Sequence, residues 1–323
     1  MGEPGYDVRA DTQFVARRAR RVRVDGHAIL AWTRAVDPAA IRPVVRPAEL
    51  TFRGSIEELV RWTLLLDSLN FCFWTSDGQP WEVEYAGRTW GRYYALVASL
   101  HRAVHRDPSW LDPGRWTRAR IEEVGRLFAG RGCIPMLARR VEILNEIGRT
   151  VVQQFGGKPV RLAEQAGFDA VRIACGLADV FESFRDVHAY DGRRIAILKR
   201  AQIFAADLAV ALEATEGPRV INLESLTAFA DYRVPQILRH LGILALDPGL
   251  ERSIEAGEWV PASSEAEIEI RCCSIWAVQR MVEALRIERE AHKPAWMLDE
   301  YLWEQSHRPE VTVQHHRTLT SFY

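Results

Sequence analysis

Phe229-Ala230-Asp231-Tyr232-Arg233-Val234-Pro235-Gln236-Ile237-Leu238-Arg239-His240-Leu241-Gly242 decides how this chain is read. Val234, Ile237, Leu238 and Leu241 recur at helical spacing, so a helix follows the aspartate. Pro235 has no N–H to donate, which puts the helix start between residues 231 and 235. Asp231 then lies at the cap or just upstream of it. Two roles fit that position. One is a plain capping aspartate, worth about 1 kcal/mol. The other is a carboxylate presented to a ligand beside a helix start. The residues alone leave both open.

Helical periodicity continues outward from this stretch. Ser55-Ile56-Glu57-Glu58 reads as a capping box ahead of Leu59, Trp62, Leu65, Leu66 and Leu69. Further helices are expected over 93–104, 117–128, 135–155, 201–212, 235–241 and 274–287. The 135–155 helix opens on Pro135 as its first position and stops before Gly156-Gly157. Strand signals are few: 81–85 alternates, and 194–198 follows the turn Asp191-Gly192. The expectation is a mainly α fold with a few short β-strands. No fixed-period repeat and no Gly-, Pro- or Ser-rich linker divides the chain. Residues 1–323 are therefore read as one helical domain, with halves of about 1–155 and 156–323 facing each other across a cleft.

Composition narrows function by exclusion. Hydrophobic residues, at 48%, suffice for a sizeable core. A net charge of −1 supplies no global field for nucleic acid or an anionic membrane. No run approaches the roughly 18 apolar residues of a membrane span. The five cysteines (Cys72, Cys133, Cys175, Cys272 and Cys273) include no CxxC, which argues against a disulfide framework or a zinc knuckle. Arg17, Arg18, Arg20, Arg21 and Arg23 form a basic run, but Glu3, Asp7 and Asp11 argue against a transit peptide, and a cytoplasmic location is expected. GxGxxG, Walker A, HExxH and GxSxG are all absent. His101 and His105 stand four apart without a third metal ligand. A redox cofactor is therefore not indicated, and neither is a metal hydrolase.

The aromatic residues say more. The 11 tryptophans are many for this length, and several fall in clusters. Phe71-Cys72-Phe73-Trp74 follows the end of a helix, Trp276 follows Ser274-Ile275, and Tyr301-Leu302-Trp303 follows Asp299-Glu300. Aromatic faces stack on planar heterocycles at about 1–3 kcal/mol per base; they also simply fill cores.

In these segments the chain resembles the queuosine salvage protein family, the queuosine 5′-phosphate N-glycosidases. The resemblance runs in order from about residue 55 to 305. It is carried by Leu69-Asn70-Phe71-Cys72-Phe73-Trp74, by Phe184-Arg185-Asp186 with Lys199-Arg200-Ala201-Gln202-Ile203 and Ala206-Asp207-Leu208, and by the stretch quoted at the outset. Glu267-Ile268-Glu269-Ile270-Arg271, Ser274-Ile275-Trp276-Ala277-Val278 and Tyr301-Leu302-Trp303 complete it. The resemblance implies an α-helical fold similar to DNA glycosylases, no metal or organic cofactor, and release of queuine from queuosine 5′-monophosphate.

With that substrate implied, Asp231 becomes the catalytic candidate, because N-glycoside cleavage builds positive charge on the ribose. A carboxylate about 4 Å from that charge gains roughly 4 kcal/mol at an effective dielectric of about 20, or about a thousandfold in rate. Phe71, Trp74, Tyr232 and Trp276 are the stacking candidates. Lys199, after an apolar strand and at a helix start, is the candidate for the 5′-phosphate, with His101 as a second contact. Queuine has carbon where guanine has N7, so protonation there cannot help it leave, and donors aimed at the base are needed instead. Arg239, His240 and Arg271 are candidates for that role. Glu269 or Asp67 could pair with the cationic amine of the queuine arm. The expected partners are the nucleotide and queuine, with no stable nucleic-acid partner, no membrane and a monomeric state. The alternative is a nucleic-acid-binding or base-repair module on the same helical fold; near-neutral charge disfavours it, since duplex contacts need many Lys or Arg.

Overall fold

The computed structural model describes residues 5–75 and 79–323. Among them are fourteen α-helices and three two-stranded antiparallel ribbons, so the fold is mainly α as expected. The capping box forms: Ser55 Oγ accepts from Glu58 N at 3.3 Å, and Glu58 Oε2 accepts from Ser55 N at 2.8 Å. Behind it the helix Ile56–Ser68 buries Leu59, Trp62, Leu65 and Leu66. The 93–104 and 201–212 expectations become Arg92–Arg106 and Lys199–Glu213. The alternating 81–85 stretch becomes the strand Glu82–Tyr85, paired with Arg88–Gly91. Arg193–Ala196 pairs with Val187–Tyr190 across the turn at Asp191 and Gly192, both at positive φ. The third ribbon, Val22–Val24 with Leu244–Leu246, joins distant parts of the chain and had no local signal.

Three expected boundaries are corrected. The 117–128 helix is only Ile121–Leu127; a separate short helix, Pro113–Trp116, precedes it, capped by Asp112. The backbone of that short helix and of Thr117 lies against Gly148, where an added Cβ would come within 2.6 Å of Thr117 N. The 135–155 helix starts at Leu137, because Met136 takes a left-handed conformation, so Pro135 is not its first residue. The 274–287 helix is the C-terminal part of Glu265–Arg289, 25 residues long and capped by Ser264. Its residues 266–275 are all buried, so its first half lacks the one-sided apolar stripe that would reveal it.

Buried apolar side chains gather in two clusters. One centres on Ile56–Ser68, Arg92–Arg106, Leu137–Phe155, Ala170–Val180 and Lys199–Glu213. The other centres on Gly26–Ala35, Arg233–His240, Glu265–Arg289 and Ala295–Gln305. Each fully buried Leu, Ile or Phe contributes on the order of 1.5–3 kcal/mol. No helix of the described residues is long and apolar enough to cross a membrane.

Candidate active site

The helix after Asp231 is Arg233–His240, within the expected start. Asp231 Oδ1 accepts from Arg233 N at 2.6 Å and from Val234 N at 3.0 Å, so the side chain does cap the helix. Its Oδ2 forms no hydrogen bond among the described residues, and the residue is 9% exposed. Capping therefore fixes one carboxylate oxygen and leaves the other free to act on a ligand.

Asp231, Tyr232 and Arg233 line a cleft of about 900 Å³, open mouth included. Lys199, at the first position of Lys199–Glu213, lines it too; its backbone N–H donates to Asp186 Oδ2 at 3.1 Å. The Lys199 side chain is buried, and its ammonium has no hydrogen-bond partner among the described residues. Burial lowers its pKa, and the charge of Asp231 works against that shift. From Ala295–Gln305 come Asp299, Glu300 and Trp303. Asp299 Oδ1 accepts from Phe229 N at 2.8 Å. Burial, and then the Asp231 carboxylate, raise its pKa well above the usual carboxylate range. Two carboxyl groups thus share the cleft, and burial sets Asp299 apart by raising its pKa, an arrangement suited to acid–base chemistry.

The cleft is electrically polarised. Arg46, Tyr93, Asp207 and Glu300 belong to one neighbourhood: Arg46 Nη2 donates to Asp207 Oδ1 at 2.5 Å, and Asp207 and Arg46 both act on Glu300. Arg92, Arg233 and His307 belong to another, in which the two guanidinium charges reach the His307 ring. The Asp231 charge acts on both Lys199 and His307.

Glu300 Oε2 accepts from Val44 N at 2.9 Å, while burial pushes its carboxyl up to about 7 from a usual value of 4.5. A raised acid binds more protons in the folded than in the unfolded chain between those two values. Its contribution to stability therefore falls as pH rises through that window and is lowest above it. Glu300→Gln keeps an acceptor for Val44 and has no charge to bury. Against wild type it should be equally stable near pH 4 and more stable near pH 8, by on the order of 1–2 kcal/mol. Denaturant melts at the two pH values check this; equal offsets at both would contradict it.

Beneath the cleft a buried ion pair ties its two main strands of chain together. Arg271, 0% exposed, donates from Nε to Ala230 O at 3.1 Å and from Nη2 to Asp186 Oδ2 at 2.6 Å. Its Nη1 reaches Asp186 Oδ1 at 3.0 Å and Glu267 Oε1 at 3.3 Å, and its guanidinium lies 4.2 Å from the ring centroid of Tyr323, a cleft-lining residue. Asp186 in turn accepts the Lys199 N–H, so one pair contacts the backbone on either side of Asp231 and Lys199.

Of the residues singled out from the sequence, Asp231, Tyr232 and Lys199 meet in this cleft. The others do not line it. Phe71 is fully buried between the guanidinium groups of Arg140 and Arg200, at 4.1 and 5.2 Å, where it supports the turn carrying Asn70 and Phe73 into the cleft. Trp74 lies 5.2 Å from Trp259 and 6.5 Å from His315, which itself packs 4.7 Å from Tyr232. His101 is enclosed by Trp62, Tyr85 and Phe52. Arg239 bonds to Glu255 and to Gln314 O, and His240 is exposed at the far end of its helix. Glu269 accepts from Arg20 N, Arg21 N and Tyr190 Oη, a satisfied buried carboxylate. Arg271 and Asp67 lie behind the wall, and Trp276 borders a separate depression with Asp7 and Arg9. Arg46, Arg92, Tyr93, Asp207, Asp299 and Tyr323 are cleft residues that the sequence reading passed over.

The model of the queuosine salvage protein family matches residues 50–323, which include every cleft residue except Val44 and Arg46. The chain belongs to the queuosine salvage protein family. A relative from Sphaerobacter thermophilus is 37% identical over 327 residues, and one from Mus musculus is 33% identical over 341. Both alignments cover 100% of this chain and 100% of the relative, and both relatives are named queuosine 5′-phosphate N-glycosylase/hydrolase. A shorter match to a Schizosaccharomyces pombe protein of the same name is 30% identical and covers 75% of this chain and 73% of that one.

Proposed function

We propose that this chain is a hydrolase that cleaves the N-glycosidic bond of queuosine 5′-monophosphate and releases queuine. Asp231 carries the reading: a buried carboxylate whose Oδ1 is held by two backbone N–H groups and whose Oδ2 is uncommitted, on the wall of a cleft lined by charged residues of both signs. As the bond to the base breaks, positive charge grows on the ribose, and Asp231 stabilises it. Water adds its oxygen to the anomeric carbon, the bonding electrons leave with the base, and a proton follows them to the base. Asp299, its pKa raised by burial and then by the Asp231 charge, is the donor for a leaving group that lacks N7. Tyr232 and Trp303 offer aromatic faces to the base, and the substrate phosphate lies among Lys199, Arg233 and Arg92. The cleft takes residues from both core clusters, so the chain acts as one catalytic unit.

Turnover in oxygen-18 water should place label in ribose 5-phosphate and none in queuine. No queuine release, or label in the base, rejects the reading. The phosphate assignment has its own check. Arg92 is exposed and has no ion-pair partner among the described residues. Arg92→Gln should raise KM for the nucleotide about tenfold, the usual weight of a charge-assisted hydrogen bond. The kcat/KM for the queuosine nucleoside should stay unchanged; equal losses on both substrates would contradict the assignment.

A further inference from the structure

Gln202 lies three residues after Lys199 in Lys199–Glu213 and does not line the cleft; with Leu198 and Thr227 it borders a separate depression. It is 3% exposed, and both ends of its amide are engaged. Nε2 donates to Ile197 O at 3.0 Å and to Thr227 Oγ1 at 3.0 Å, and Oε1 accepts from Thr227 N at 2.9 Å. The Thr227 hydroxyl has Ala228 O at 3.1 Å and Oε1 at 3.2 Å to receive its own proton. A carbonyl needs a donor and an N–H needs an acceptor, so a primary amide, in one orientation, serves both segments of chain.

Those two segments lead to the two charged groups that face the nucleotide. Ile197 is two residues before Lys199, and Thr227 is four before Asp231. Between Ile197 and Lys199 the chain passes through Leu198 at φ 52°, a left-handed conformation that a leucine keeps only where its surroundings hold it. Asp186 O accepts from Ile197 N at 3.0 Å and from Leu198 N at 3.3 Å, and Gln202 holds Ile197 O. On the other segment Phe229 N is bonded to Asp299 and Ala230 O to Arg271, while Thr227, at its entry, is bonded to Gln202. Arg271 reaches the Lys199 segment only by way of Asp186, whereas the Gln202 amide bonds both segments directly.

We propose that Gln202 is a positioning residue that sets the separation between the Lys199 ammonium and the Asp231 carboxylate. It touches no substrate; it acts through Ile197 on one group and through Thr227 on the other. The inference rests on the nucleotide N-glycosidase reading for the roles of those two groups. A phosphate bound at Lys199 helps the reaction only if the ribose attached to it reaches Asp231, and that distance is what the amide fixes. Without it each half of the site still binds its own part of the ligand, but one rigid ligand no longer satisfies both.

Calorimetric binding of ribose 5-phosphate, inorganic phosphate and queuine to wild type, Gln202→Met and Thr227→Val tests this. Ribose 5-phosphate spans from Lys199 to Asp231, whereas inorganic phosphate needs only the cations and queuine only the base-binding wall. Gln202→Met keeps the length of the side chain and removes the amide. It should weaken ribose 5-phosphate at least about tenfold, the weight of one charge-assisted hydrogen bond, with phosphate and queuine within about twofold. Thr227→Val removes one hydroxyl and keeps the Gln202 bonds to Ile197 O and Thr227 N, so it tests the tie even if Gln202→Met folds poorly; it should weaken ribose 5-phosphate about threefold and the other two ligands not at all. A merely structural loss lowers the competent fraction, read as calorimetric stoichiometry, and leaves the ratios of affinities as in wild type. Unchanged ratios in every variant that folds, all three ligands weakened alike, or no binding of ribose 5-phosphate by wild type overturns the inference. None of these ligands has to react, so the two readings fail separately. Altered ratios in a protein that releases no queuine sink the glycosidase alone, and queuine release with unaltered ratios sinks the positioning role alone.

Discussion

Asp231→Asn is expected to lower kcat about a thousandfold while leaving the melting temperature almost unchanged. Asparagine caps helices about as well as aspartate, so the contacts to Arg233 N and Val234 N survive the exchange. What disappears is the negative charge, and with it roughly 4 kcal/mol of attraction for a cation about 4 Å away at an effective dielectric of about 20. Asp231→Ala removes both functions and should in addition cost about 1 kcal/mol of stability through the lost cap. Comparing the two by steady-state turnover and thermal melts separates the roles that the sequence alone could not. If Asp231→Asn keeps wild-type kcat, Asp231 is a cap and nothing more. The exchange should also lower the pKa of Asp299, since after burial the Asp231 charge is the largest cause of its elevation.

Arg271→Lys should have the next largest effect, a loss of about a hundredfold in kcat with queuine affinity within a few fold. Arg271 touches no part of the cleft space; it acts through Ala230 O on one side and through Asp186, which accepts the Lys199 N–H, on the other. A lysine ammonium cannot match a planar guanidinium that bonds both oxygens of Asp186 while Nε holds a carbonyl. Misplacement by about 1 Å can cost about a hundredfold, because Asp231 and Lys199 must face the same bound nucleotide. The variant should also lose about 3 kcal/mol of stability, the scale of a damaged buried ion pair. Asp186 is held well below the usual carboxylate range: burial opposes its ionisation, but the adjacent Arg271 charge outweighs it. Its stabilising contribution is therefore full above the ordinary aspartate pKa and is lost only as pH falls through its depressed folded value. An Arg271→Lys protein with normal kcat per folded molecule would reduce the pair to a purely structural role.

The part of the site on one short segment was legible in the sequence, and the part assembled by packing was not. The helix after Asp231 announced itself through Pro235 and four apolar positions, and the structure starts it at Arg233. Lys199 could be placed at a helix start because an apolar strand and a turn precede it. Arg239 and His240 looked promising only by proximity in sequence. Six and seven residues into an eight-residue helix, they are carried away from Tyr232 toward Glu255 and solvent. Glu269 and Arg271 were visible as unusual charges on an apolar helix, but nothing in the sequence says that Arg20, Arg21 and Tyr190 satisfy the first and Asp186 the second. Arg46, Arg92, Asp207 and Asp299 come from four distant segments, each with an ordinary charged residue at an ordinary position. Their common signal, a shared cleft, exists only after the two core clusters have packed.

The most direct test of the central claim is to incubate the purified chain with queuosine 5′-monophosphate and follow free queuine by mass spectrometry, with Asp231→Asn in parallel. The expected result is steady release of queuine and ribose 5-phosphate by the wild type and about a thousandfold less by the variant at the same folded concentration. Absence of queuine from the wild-type reaction, or equal release by both proteins, would contradict a nucleotide N-glycosidase centred on Asp231.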